Sequence, residues 1–193
     1  MLDAIVCPDW ESRYFSFNAS WSAGEEMASM RNGQGDEWFL LFGPFGAALK
    51  GLAHDCVLAG DGAFAAEIQQ RVPASFSSFL TEAAFSMDWA SFCYWRSSED
   101  PTWHKVFHPD PKLAGSEDGS AEYLAPLVEP ASHYQEHAND YFEIDLPLAA
   151  IEHIYAQSPL TEELVSLLNP ELSLAEVEES AIEIGYPLQR KDA

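Results

Sequence analysis

The sequence predicts an α+β fold: an antiparallel β-meander sheet formed by the N-terminal and middle regions, packed with a helical C-terminal third. Three observations predict it. Apolar residues alternate or run continuously up to about Asp55, polar gaps rich in glycine separate those runs, and later in the chain the apolar spacing changes to three and four. At 193 residues the chain has the length of one domain, expected as β-rich over 1–112, exposed in a loop over 108–120 and helical over 120–187.

The first strand is expected in "RYFSFN" (13–18), where Phe15 and Phe17 share one face. "EMASMR" (26–31) alternates again, and "EWFLLFG" (37–43) is a nearly continuous apolar run, as a central strand covered on both faces requires. "GAALKGLAHD" (46–55) completes the set. Between them lie "SAGE", "NGQGD" and "GPFG". Asn32-Gly33 and Gly35-Asp36 are hairpin chemistry, because glycine and asparagine tolerate positive φ. A phosphate-cradling loop would run into a helix and bring a lysine. This one runs into Asp36, Glu37 and a strand.

In the middle, "AFAAEIQQRV" (63–72) spaces Phe64, Ile68 and Val72 by four, which predicts a short helix stopped before Pro73. "PASFSSFLTEAAF" (73–85) predicts another helical stretch behind the proline. "ASFCYWRS" (90–97) and "TWHKVF" (102–107) have strand composition and flank a turn. "HPDPKLAGSEDGS" (108–120) reads as a long exposed loop. Helices are then expected over 120–128, 132–142, 147–157, 161–169 and 173–185. The cues are Ser120, Pro147 and Thr161 at starts, the capping-box pair Ser173 and Glu176, and Gly185 as a stop.

Charge separates the function classes. Nine Lys and Arg stand against 32 Asp and Glu, a formal net charge of −23. From Leu113 to Gln189 there are 16 acids and no lysine or arginine. Nucleic acid and anionic membranes are excluded as partners, because binding either needs cations to neutralise phosphate. A basic protein is the partner such a surface steers. Solubility alone is the competing explanation of the charge.

No run approaches the ~20 apolar residues of a membrane-spanning helix. "MLDAIVCPDWESR" lacks the basic start of a signal peptide, and Cys7, Cys56 and Cys93 form no paired spacing. The expectation is a cytoplasmic protein with free thiols and no cofactor.

"HYQEH" (133–137) is the sharpest chemical motif. It matches H-x-x-E-H, with His133, His137 and Asp140 as helical metal ligands and Glu136 as general base. The competing reading is an amphipathic helix with a solvated face. His104, His108 and Asp110 fit no common metal spacing. Cys93, between Phe92 and Tyr94, reads as core, and neighbours His54 and Asp55 on a strand would face opposite ways. Trp10, Trp21 and Trp103 are candidate aromatic anchors for a partner.

"ESRYFSFNASW", "MASMRNGQGDEWFLLF", "LKGLAHD", "SFCYWR" and "IEIGYP" resemble segments of a bacterial single-domain family with no assigned activity. In size, acidity and tryptophan content the chain is also similar to the immunity proteins of bacterial toxin systems. That resemblance implies a non-catalytic protein that occludes a basic toxin. The expected acidic contact face is Glu162, Glu163, Glu176, Glu178, Glu179 and Glu183. A small metal-dependent hydrolase on the 133–140 helix is the alternative, and a structural or housekeeping domain is the third.

Overall fold

The computed structural model describes residues 1–189. Six strands form one antiparallel sheet in the order β1 (Phe15–Ser22), β2 (Glu25–Arg31), β3 (Glu37–Gly43), β4 (Gly46–Leu52), β5 (Phe92–Ser97), β6 (His104–Lys105). The helices are α1 (Leu2–Val6), α2 (Gly62–Arg71), α3 (Ser77–Thr81), α4 (Ser120–Tyr123), α5 (Ala125–Val128), α6 (Ala131–Tyr141), α7 (Leu148–Tyr155), α8 (Glu162–Leu168) and α9 (Leu174–Ile184). The α+β arrangement expected from sequence is the one observed. No helix among the described residues is long and apolar enough to cross a membrane.

The chain divides into two compact units, each with its own core: Phe17–Tyr123, and Met1–Ser16 with the chain from Leu124 onward. In the sheet unit, one face of the sheet buries Met27, Phe39, Leu41 and Ala48 with Phe64, Ile68 and Val72 of the α2 segment. The opposite face of β3 is covered too, since Trp38 is buried and its indole N–H donates to the Tyr123 carbonyl at 3.0 Å. Burial on both faces is what the continuous apolar run of β3 required.

The hairpin chemistry at 32–36 is also present. Gly33 and Gly35 have φ of 73° and 115°, and the Asn32 side chain accepts from the Gln34 and Asp36 amides.

Several expectations need correction. The first strand is β1 over 15–22 rather than 13–18, because the tight turn at Gly24 (φ 80°) lets pairing run up to Ser22. The fourth ends at Leu52, short of Asp55. The 73–85 stretch is one α-helical turn, α3, between 3-10 turns at Ala74–Phe76 and Ala83–Phe85, so its phenylalanines reach the core from short turns. Residues 120–128 are two short helices, α4 and α5, with Pro126 in the first turn of the second.

The 108–120 loop is not uniformly exposed: His108, Asp118 and Ser120 are buried. Lys105 Nζ pairs with Asp118 at 2.6 Å, and the Ser91 hydroxyl donates to the Asp118 carbonyl.

In the helical unit, α1 went unpredicted. Its Leu2 and Ile5 pack with Tyr134 and Ala138 of α6, Ile151 and Ile154 of α7, Leu164, Val165 and Leu168 of α8, and Val177 and Ala181 of α9. Buried Asp3 is satisfied by the Tyr134 hydroxyl at 2.6 Å and the Phe15 amide at 2.7 Å.

Candidate functional site

The acidic expectation falls mainly on the helical unit, and the two units differ sharply in charge. Residues 17–123 carry 15 acids and 6 Lys and Arg; the described remainder carries 16 acids and Arg13 alone. Arg13 is turned to structural use. Its guanidinium donates to the Cys7 and Pro8 carbonyls, both at 3.0 Å, and to the Ser180 hydroxyl at 3.4 Å.

Helices α8 and α9 present the six glutamates named from sequence, all exposed. Amphipathic spacing causes this: Leu164, Val165 and Leu168 turn inward on α8, as do Val177 and Ala181 on α9. Two of the six also hold the helices in place. Glu176 closes a capping box with Ser173, and those hydrogen bonds draw its carboxyl below the ordinary range. Glu162 accepts the Leu174 amide at 2.9 Å, tying the start of α9 to the start of α8. Glu163, Glu178, Glu179 and Glu183 remain as the outward charges. Two large aliphatics stand among them, Leu167 at 55% and Ile182 at 65% exposure.

The aromatic anchors divide. Trp10 and Trp103 are exposed, whereas Trp21 is half-buried and stacks on Phe85, so it serves the sheet-unit core. Trp89, exposed on a 3-10 turn, was not singled out from sequence.

The metal reading finds no support in the side chains. Among the described residues no three His, Cys, Asp or Glu side chains gather closely enough to hold a metal ion. His133, Glu136, His137 and Asp140 do lie on α6, but His137 sits among aromatic rings. The Tyr14 centroid is 4.3 Å away and Tyr141 stacks at 5.5 Å. Burial, aided by the charge of His133, pushes the His137 pKa down to about 4. The H-x-x-E-H spacing therefore builds an amphipathic helix whose second histidine packs as an aromatic.

One arrangement was missed. Asp36 is buried and accepts from the His54 amide at 2.9 Å and from His54 Nδ1 at 2.7 Å, while His54 Nε2 lies 3.3 Å from Asp55. Strand alternation does not govern His54 and Asp55, because β4 has already ended. These groups line a cleft of about 980 Å³ with Cys56, Glu117 and Tyr123. Both imidazole nitrogens face carboxylates, and the hydrogen bond and charge of Asp36, with Asp55 adding to it, raise the His54 pKa. The Cys56 thiol donates to the Glu117 carbonyl at 3.0 Å. The geometry staples the 32–36 turn to the 53–56 turn rather than presenting a base. The β3–β4 register, with Glu37 opposite Leu52, was the signal that could have found it.

No family model, curated protein or solved structure matches this chain. The functional reading consequently rests on its own residues. In the sheet unit three of the six Lys and Arg are answered by a carboxylate in place: Lys50 by Glu37, Arg71 by Glu67 and Lys105 by Asp118. In the helical unit the carboxylates greatly outnumber the cations, and the chemistry available to them is attraction of positive charge.

Proposed function

We propose that this chain is a non-catalytic binding protein whose helical unit captures a basic protein partner. The observation that carries the reading is the outward set Glu163, Glu178, Glu179 and Glu183 on α8 and α9, in a unit with Arg13 as its one described Lys or Arg. Like charges held together repel, and that repulsion lowers stability. A basic surface arriving from solution relieves it and is steered towards it.

The occupant that fits this chemistry is a protein rich in Lys and Arg, of which a nucleic-acid-directed toxin is one kind. Neutralising a bacterial toxin in the cytoplasm is the setting we infer, in keeping with the free Cys7, Cys56 and Cys93.

The test is capture from a lysate on the immobilised chain and on a Glu163→Lys, Glu178→Lys, Glu179→Lys, Glu183→Lys variant. Basic proteins retained by the first, released by salt and absent from the second support the reading. Equal retention by both contradicts it.

A further inference from the structure

We propose that the sheet unit carries a binding site for a small aromatic carboxylate, in the cleft between the last turn of α2 and the edge strand β6. The cleft holds about 590 Å³ and is lined by Glu67 and Arg71 of α2, Trp95 of β5, and His104, Lys105 and Phe107 in and beside β6. Small-molecule sites commonly occupy ~300–1,000 Å³.

Charge marks this cleft out. The chain has a net charge of −23, yet among the described residues that line the cleft Glu67 is the one acid, against Arg71, Lys105, His104 and His108. Most of these basic groups are committed already. Lys105 Nζ lies 2.6 Å from Asp118, and the His104 and His108 rings lie 3.2 Å from Asp100 and 3.3 Å from Asp61. Arg71 differs. Glu67 receives its Nε at 2.6 Å while the Arg71 side chain stays 68% exposed, which leaves both Nη groups to donate to a second carboxylate.

Lys105 adds a backbone donor. The Val106 N–H points inward to the Cys93 carbonyl at 2.9 Å, and alternate residues of an antiparallel edge turn opposite ways, so the Lys105 N–H is directed out of the sheet. One free guanidinium edge and one amide suit a single negative charge. A dianion such as a phosphate monoester would be repelled by Glu67 and the acidic chain with too little compensation.

The cleft also has a flat wall. Trp95 and His104 stack with centroids 4.2 Å apart and planes 20° apart, and Phe76 packs edge-on against Trp95 at 5.7 Å, which fixes the wall before binding. Phe107, 57% exposed, is an uncovered aromatic on the same cleft. A planar apolar ring laid against these faces displaces water from them while its carboxylate meets Arg71.

The experiment follows the amide NMR shifts of the isotope-labelled full chain on titration with naphthoate. Two control compounds accompany it: naphthamide, which lacks the charge, and cyclohexanecarboxylate, which lacks the flat ring. The expected result is saturable shifts at Trp95, His104 and Phe107, with each control weaker by ~10-fold, the scale of one charge-assisted hydrogen bond or one aromatic contact. Arg71→Gln should bring naphthoate down to the level of naphthamide and leave naphthamide unchanged, a split that a damaged fold would not produce. Lys112→Gln, at an exposed cation outside the cleft lining, should change nothing. Absence of saturable binding, shifts centred elsewhere, equal affinity for either control, or a naphthoate affinity indifferent to Arg71→Gln overturns the site. None of these outcomes depends on the acidic face of the helical unit.

Discussion

Lys50 offers a direct test of how the sheet unit handles charge. Its side chain is fully buried on β4, and its Nζ lies 2.9 Å from Glu37 Oε1 on β3 and 5.8 Å from the Phe39 ring centroid. Burial lowers its pKa and Glu37 opposes that shift. At this separation and an effective dielectric near 20, the attraction is about 6 kcal/mol. Glu37 is one-quarter exposed, so part of that attraction is screened, and desolvation of the ammonium consumes much of the rest.

Glu37→Gln keeps one acceptor but leaves the buried cation uncompensated, and should cost about 2–3 kcal/mol. Lys50→Met removes the charge, keeps the volume and lets Glu37 turn to water, so it should fall within about 1 kcal/mol of the parent. In the Lys50→Met background, Glu37→Gln should cost less than about 0.5 kcal/mol, a coupling that a double-mutant cycle resolves. Urea unfolding read by tryptophan fluorescence suits the measurement, since five of the six tryptophans lie in the sheet unit. A large loss for Lys50→Met, or none for Glu37→Gln, would refute this account of the pair.

Other expectations follow from single residues. Gly33 has φ 73° and open space around the position a Cβ would take, so Gly33→Val should lose about 1–2 kcal/mol through backbone strain alone and Gly33→Asn distinctly less; equal urea midpoints for the two would contradict this. His133→Ala should be nearly neutral, whereas His137→Ala empties a place among aromatic rings and should cost about 2 kcal/mol in the same assay. The pH dependence of His137 has a definite sign. Its folded pKa, about 4, lies below the ordinary value of 6.5, so the contribution of the neutral ring is complete above 6.5 and is lost as pH falls through 4. After allowance for solvent access, the effect should be about 1–2 kcal/mol. Comparing pH profiles of the parent and His137→Phe isolates it from Asp3, whose burial-raised pKa works in the opposite direction, and parallel profiles would refute it.

Much of the fold was legible because its signals are local. Gly33 and Gly35 supply the turn their neighbours need, Phe64, Ile68 and Val72 share a helix face, and Ser173 with Glu176 opens α9. The losses occurred where distant parts of the chain decide. Helix α1 is short and forms against α8 and α9, which local pattern does not reveal. The phenylalanines of 74–85 reach one core through 3-10 turns, so no single period describes them. His54 meets Asp36 only once β3 and β4 are in register. H-x-x-E-H left two readings open because the same spacing serves a ligand pair and a packed helix face equally well. For the acidic face, exposure followed from the inward stripe of α8 and α9 and the capping role of Glu176 from its spacing to Ser173, but the hold of Glu162 on the Leu174 amide joins two helices and has no local signal.

The central claim is that the outward glutamates of α8 and α9 steer a basic protein onto the helical unit. Its most direct test is the stopped-flow association rate of the captured partner, measured at low ionic strength and at physiological salt, where the Debye length is ~8 Å. The account predicts a rate that falls as salt rises, and a further drop of ~10-fold or more when Glu163, Glu178, Glu179 and Glu183 are reversed to lysine with the fold intact. Association rates indifferent both to salt and to that reversal would contradict it.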